Sequence, residues 1–298
     1  VTDGSNQGRS GYFTQPYLGE DTGGHANWTP DGMHDVLKAG LDDGWQVMCH
    51  VNGDAAVEFA LSTLEGLLPT YGKTDLRHRF EHCSVTTDDH LERMAAAGIS
   101  PSFLMNHVYY WGAAFRDTIL GTERANLLDR VSTAYKVGLR PSLHSDYNVS
   151  KVHPLQSART AVLRQMQANG EVLNPAECAT PEQALAAITT NAAWQIHADD
   201  RGSLEVGKQA DLVAWSADPL ADPSVFNDHD RVALVLQSGR VEDNFEVAAD
   251  VGLAGDQRTV NGGASVAGDG AGDEDQTVDH WRPGHVPVTV DDEDHRFG

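Results

Sequence analysis

Residues 45–64, WQVMCHVNGDAAVEFALSTL, join two periodicities in one stretch. The segment 45–51 reads as a short buried strand, and the apolar spacing from Asp54 to Leu68 reads as a helix with Asp54 as its N-cap. Asn52-Gly53-Asp54 between them is a turn-and-cap sequence, read as structural.

The same unit recurs along the chain. A helix over 31–44 precedes it, and a strand over 77–84 is followed by a helix near 87–97 that stops at Gly98. Strand 99–105 leads to a longer helical region near 113–137. Strand 139–144 leads to helices near 154–168 and 181–196, the last opening on Thr180-Pro181, a cap residue followed by Pro at the first helical position. Strands alternating with helices imply an α/β fold with a parallel sheet. After Gly202 the texture becomes β-rich, with strands at 210–215 and 232–243, the latter folding as a hairpin about Ser238-Gly239. From 244 to 298 the chain is rich in Gly, Asp and Val and reads as a disordered acidic tail. The expected division is therefore 1–200, 201–243 and 244–298.

Composition narrows the function. With 21 basic and 44 acidic residues the net charge is −23, which argues against nucleic acid or anionic lipid as a partner and fits a protein kept soluble by salt screening, hence a halophilic source. No apolar run approaches the roughly 18 residues of a membrane span. The start, VTDGSNQGRS, has neither a basic region nor an apolar core of the secretory kind, so the expected compartment is the cytoplasm. Cys49, Cys83 and Cys178 match neither a disulfide framework nor a zinc knuckle and read as reduced thiols.

Three strand ends carry metal-ligand chemistry. His50 follows WQVMC, His82 lies in RFEHCSV (79–85), and Asp146 follows LRPSLHS. Carboxyl ends of parallel strands converge on one face, where two imidazoles and a carboxylate would share a site. Such ligands suit Zn²⁺, with Mn²⁺, Fe²⁺ and Ni²⁺ open on ligand type. The bland alternative is three polar strand-end residues that each find a hydrogen bond. Strand alternation turns Cys49 and Cys83 into the helix layer and Glu81 away from His82, towards Arg77 or Arg79. His107 and His144 are candidate substrate contacts. Tyr12, Phe13, Tyr109, Tyr110 and Trp111 are candidate pocket walls, and Asn6 lies in the Gly-rich loop 4–11. Neither a nucleotide P-loop nor a G-x-S-x-G elbow occurs.

The segments DGSNQG, HVNGDAAVEFAL, RHRFEHCSV, LHSDYNV, ALAAITTNAAWQIH and GSLEVGKQADLVAWSADPL, in that order, resemble the carboxyl-terminal half of the metal-dependent amidohydrolases, in the amidohydrolase-3 group that includes N-substituted formamide deformylase. The resemblance covers roughly residues 1 to 242. It implies part of a TIM-like (β/α)₈ barrel, about strands 4/5 to 8, with part of a small β-sandwich. It further implies a divalent metal, zinc foremost, held by His50, His82 and Asp146, with Asp146 also shuttling a proton. A metal-activated water would attack the C–N bond of a small amide, formamide or cyclic amide. His107, His144, Asn6, Tyr110 and Trp111 would contact the substrate. The family's strand-one His-x-His pair has no counterpart here, nor does the strand-four lysine many members carry just before the segment matched by VTDG. These departures imply a fragment, either inactive alone or one half of a two-chain barrel. A missing amino-terminal half or a second copy would be the partner. A non-hydrolytic metal or solute binder is a third reading, one that leaves Asp146 without a role.

Overall fold

The computed structural model describes residues 1–72, 75–227 and 231–244. Helix α1 (Pro30–Asp42) starts where the Thr29 side chain accepts a hydrogen bond from the Gly32 N–H, with Pro30 at its first position. Its buried residues Met33, Leu37 and Leu41 recur every four positions and pack on helix α2 (Asp54–Leu67). Strand β1 (Met48–Val51) lies between these helices in sequence.

The cap of α2 is Gly53, and Asp54 is the first helical residue, its carboxylate accepting from the Thr14 N–H at 3.0 Å. Glycine is required because a Cβ at residue 53 would lie 1.8 Å from the Tyr12 carbonyl oxygen. The chain at 12–14 thus lies directly over the start of α2.

Strand β2 (Arg79–His82), helix α3 (Asp88–Ala97) and strand β3 (Ser100–Phe103) continue the alternation. Helix α3 begins in a capping box in which Thr87 accepts from His90 N–H and the His90 imidazole accepts from Thr87 N–H. It ends, as expected, at Gly98, in a left-handed conformation with φ of 72°. With strand β4 (Ser142–Leu143) the strands form a parallel sheet ordered β1-β2-β3-β4, so the α/β class and parallel pairing expected from sequence are present.

The strands are shorter than their apolar runs, and only β2 and β3 pair on both sides. The helix expected near 113–137 is instead broken. Wide π-type turns at His107–Trp111 and Phe115–Ile119 flank Gly112–Ala114, and helices Thr122–Ala125 and Val131–Lys136 follow. The helix at Pro154–Leu163 ends at Arg164, whose φ is 46° and whose buried guanidinium donates to the carbonyls of Leu128, Asp129 and Leu173. The region expected as helix 181–196 divides at Thr189 into Pro181–Ile188 and Thr190–Gln195. Buried Gln195 then ties β3 to β4, donating to the Pro101 and Arg140 carbonyls and accepting from Ser142.

A separate antiparallel sheet holds β5 (Leu212–Trp215), β6 (Val232–Gln237) and β7 (Arg240–Asn244). Ser238 and Gly239, with φ of 51° and 76°, make the two-residue turn between β6 and β7 that the sequence predicts. The expected acidic tail lies outside the described residues apart from Asn244. Among the described residues no helix is long and apolar enough to cross a membrane.

Arg93 joins α2 to α3, donating to Glu58 at 2.6 Å, Glu65 at 2.7 Å and Asp89 at 3.0 Å. The hydrogen bond from Arg93 holds the Glu58 carboxyl down to about 2 from its ordinary 4.5. A depressed carboxyl pKa stabilises the fold above its ordinary value and loses that contribution as pH falls through the folded one. Arg93→Ala should lower the thermal midpoint at pH 7, and the deficit should narrow between pH 4.5 and 2 in melts followed by circular dichroism.

Candidate functional site

The parallel register pairs His50 with Glu81 and Val51 with His82. In a regular pleat His82 would therefore share the face of Val51 and Phe80, both wholly buried in the core, and not the face of His50. The backbone departs from the pleat at that residue. His82 has φ of 70° and Cys83 φ of 47°, and the His82 ring lies edge-on to His50 with centroids 4.5 Å apart. His107 and His144 complete the cluster, with ring centroids 6.2 and 5.0 Å from His82.

The carboxylate of Asp3 fixes His50. Fully buried, it accepts from the N–H groups of Tyr12 (2.9 Å), Asn52 (3.0 Å) and Gly53 (2.9 Å), and lies 3.1 Å from His50 Nδ1. An ionised carboxylate only accepts, so His50 carries its proton on Nδ1 and presents Nε2 as an acceptor. The Asn52 side-chain amide donates to the Gly4 carbonyl at 3.0 Å and stands 3.3 Å from that Nε2.

A second chain of hydrogen bonds fixes His107. Ser84 donates to Asn52 Oδ1 at 2.6 Å, so its oxygen accepts from His107 Nδ1 at 2.9 Å and His107 presents Nε2 as an acceptor. Burial, reinforced by the neighbouring imidazoles of His144 and His50, pushes His107 down to about 3. Burial and the imidazoles of His144, His50 and His107 push His82 down to about 2. His144 is lowered by burial too, an effect opposed by the negative charges of Glu81 and Asp146. Buried His82 Nδ1 and His144 Nε2 have no hydrogen-bond partner.

Neutral imidazoles with unused lone pairs suit a divalent cation in donor chemistry. Among the described residues, no group of three or more His, Cys, Asp or Glu side chains is placed to hold one. The structure thus brings His50 and His82 together, while Asp146, three residues beyond β4 with φ of 50°, does not join them in a three-ligand group.

Beside the cluster opens a cavity of about 560 Å³, lined by His107, Tyr110 and Trp111 among others. Asn6 is buried beside Gly11 with neither amide atom partnered, and Gln7 reaches the cavity wall instead. Phe13 is a core residue and Tyr12 packs against the core, correcting their reading as pocket walls. Cys49 and Cys83 are buried in the core as expected, and burial pushes the Cys49 thiol up to about 12. Glu81 pairs with Arg79, as the charge argument required. Its expected turn away from the site is corrected, because register puts it beside His50 and its charge acts on His144.

Sequence reasoning missed Asp3, Ser84 and the role of Asn52. A usable signal was their spacing, since Asn52 and Ser84 each stand two residues beyond a proposed ligand.

The model of the amidohydrolase family matches residues 1–242. The chain is similar to N-substituted formamide deformylase of Arthrobacter pascens, 30% identical over 63% of this chain and 34% of the relative. It is similar to the protein LONG AFTER FAR-RED 3 of Arabidopsis thaliana, 30% identical over 72% of this chain and 37% of the relative. Among solved structures, an uncharacterized metal-dependent hydrolase from Pyrococcus furiosus aligns with a TM-score of 0.60 and 27% identity over 70% of this chain and 42% of that one. The chain therefore spans roughly a third of the length of these two curated relatives.

Asp3→Ala would leave three backbone donors and His50 Nδ1 without their acceptor. It is expected to destabilise the fold by about 3 kcal/mol or more in urea titrations. Ser84→Ala should release His107 from its single tautomer, seen as exchange broadening of its ring nitrogen resonances.

Proposed function

The chain belongs to the amidohydrolase family, and from that premise we propose that it serves hydrolysis of a non-peptide carbon–nitrogen bond in a small amide, formamide or cyclic amide. The observation that carries this reading is the edge-on pair of imidazoles, His50 and His82, 4.5 Å apart at the carboxyl ends of β1 and β2, beside a cavity of molecular size. His50, His82 and Asp146 are the residues proposed to hold a divalent cation, zinc by ligand type. Such a cation, when bound, would polarise the carbonyl and acidify a water near neutral pH.

The chain's own residues do the rest. Asp3 holds the His50 ring through Nδ1, which fixes the direction in which Nε2 points. The Asp146 carboxylate takes a proton from the attacking water and returns it to the leaving nitrogen. His107 Nε2 accepts a hydrogen bond from substrate, and Tyr110 and Trp111 pack on its apolar part.

A second reading is favoured by the open sheet of four strands and by the exposed apolar residues Trp28, Val36, Trp45 and Met48 beside β1, which line a groove of about 410 Å³. On this reading the chain is the back half of a barrel and turns over only when a complementary half covers that flank. Sedimentation and circular dichroism in molar salt distinguish the two, because an active, metal-loaded monomer is incompatible with the second.

The decisive assay is release of formate or amine from N-formyl and cyclic amide substrates, with metal content measured on the same sample. His50→Ala and His82→Ala should each reduce bound metal and lower kcat/KM by at least about 100-fold. Asp146→Asn should lower kcat by about 100-fold or more. Unchanged metal content and turnover in both histidine variants would sink the proposal.

A further inference from the structure

The cavity beside the histidine cluster contains one formal charge among the described residues that line it, the ammonium of Lys151. With 44 acidic residues in 298, a wall of eleven residues would carry one or two carboxylates if they were spread evenly. This wall has none. Its other residues are aromatic, aliphatic, amide or hydroxyl, with His107 held neutral by burial.

Lys151 emerges from an anchored segment. Its neighbour Ser150 accepts from the buried Asn106 amide at 2.6 Å and donates to the Ser145 carbonyl. The N–H groups of Val149 and Ser150 both point to the Asp146 carbonyl, at 2.7 and 3.4 Å. The backbone that carries Lys151 is thereby tied to Asn106 and to Asp146. In a protein of net charge −23, a cation facing a carboxylate-free wall is a local reversal of the surrounding field.

We propose that Lys151 is a specificity-determining residue, and that the molecule bound in this cavity joins an aromatic or apolar body to a carboxylate that pairs with the Lys151 ammonium. Tyr110, Trp111 and Tyr147 would take the body, and the carboxylate would sit at the 147–151 wall. As a statement about substrate, the inference rests on the amide-hydrolase reading and narrows it to carboxylate-bearing amides. As a statement about binding, it stands without turnover.

Isothermal titration calorimetry on the full chain tests it, with 3-phenylpropionate and its neutral isostere 3-phenylpropanamide as probes, at ~0.1 M ionic strength to limit screening. The chain should bind the acid at least fivefold more tightly than the amide. Lys151→Ala should bring the two affinities together by weakening the acid alone, and Lys151→Arg should keep the preference. Equal binding of the two probes, binding of neither, or a preference that survives Lys151→Ala would overturn the proposal. Loss of amide hydrolysis with the carboxylate preference intact would remove the enzymatic reading and leave this one standing.

Discussion

Two left-handed residues at the end of β2 decide where the chemistry can sit. His82 and Cys83 have φ of 70° and 47°, a conformation that costs a residue with a Cβ about 1–2 kcal/mol each. Without it, the pleat would bury the His82 ring in the helix layer beside Phe80. With it, the ring turns across the strand end to stand 4.5 Å from His50, and Ser84 arrives where it bridges Asn52 and His107. The wholly buried Phe80 and Cys83 on either side supply the packing that offsets this strain.

Burial then decides the protonation states. Four imidazoles within about one ring's reach of their neighbours would repel one another if charged, and desolvation already disfavours the charged form of His82, His107 and His144. His82, His107 and His144 are thereby kept as neutral nitrogen acceptors in a chain whose overall charge is strongly negative. Asp3 is the only carboxylate hydrogen-bonded to this cluster among the described residues, and three backbone N–H groups share it with His50. Its negative charge is thus distributed over fixed dipoles, which lets it orient His50 while fully buried.

What the sequence made legible follows from the range of the physics involved. The parallel α/β order, the cap at Thr180, the stop at Gly98 and the turn at Ser238-Gly239 rest on neighbours within a few residues, and each was readable. The facing of Glu81 was argued from perfect alternation, which the left-handed residues His82 and Cys83 break. The broken helical region after His107 depends on Arg164 and other distant side chains that bind its backbone, and local periodicity has no record of them. Asp3 acts across about fifty residues of sequence on Asn52 and Gly53, so only the fold reveals it.

The site is also divided by rigidity. His50, near the end of β1, and His107, just beyond β3, are held by hydrogen bonds to Asp3, Asn52 and Ser84. The opposite wall, residues 147–151, is a loop whose Tyr147 and Val149 are largely exposed and whose anchors are the few bonds from Asn106 and the Asp146 carbonyl. Substitutions in that loop alter which molecule fits while leaving the hydrogen bonds that orient His50 and His107 intact. Asp146 alone belongs to both parts, because its carbonyl anchors the loop while its carboxylate is the proposed proton carrier. Any shift of the wall on binding is therefore felt first at Asp146.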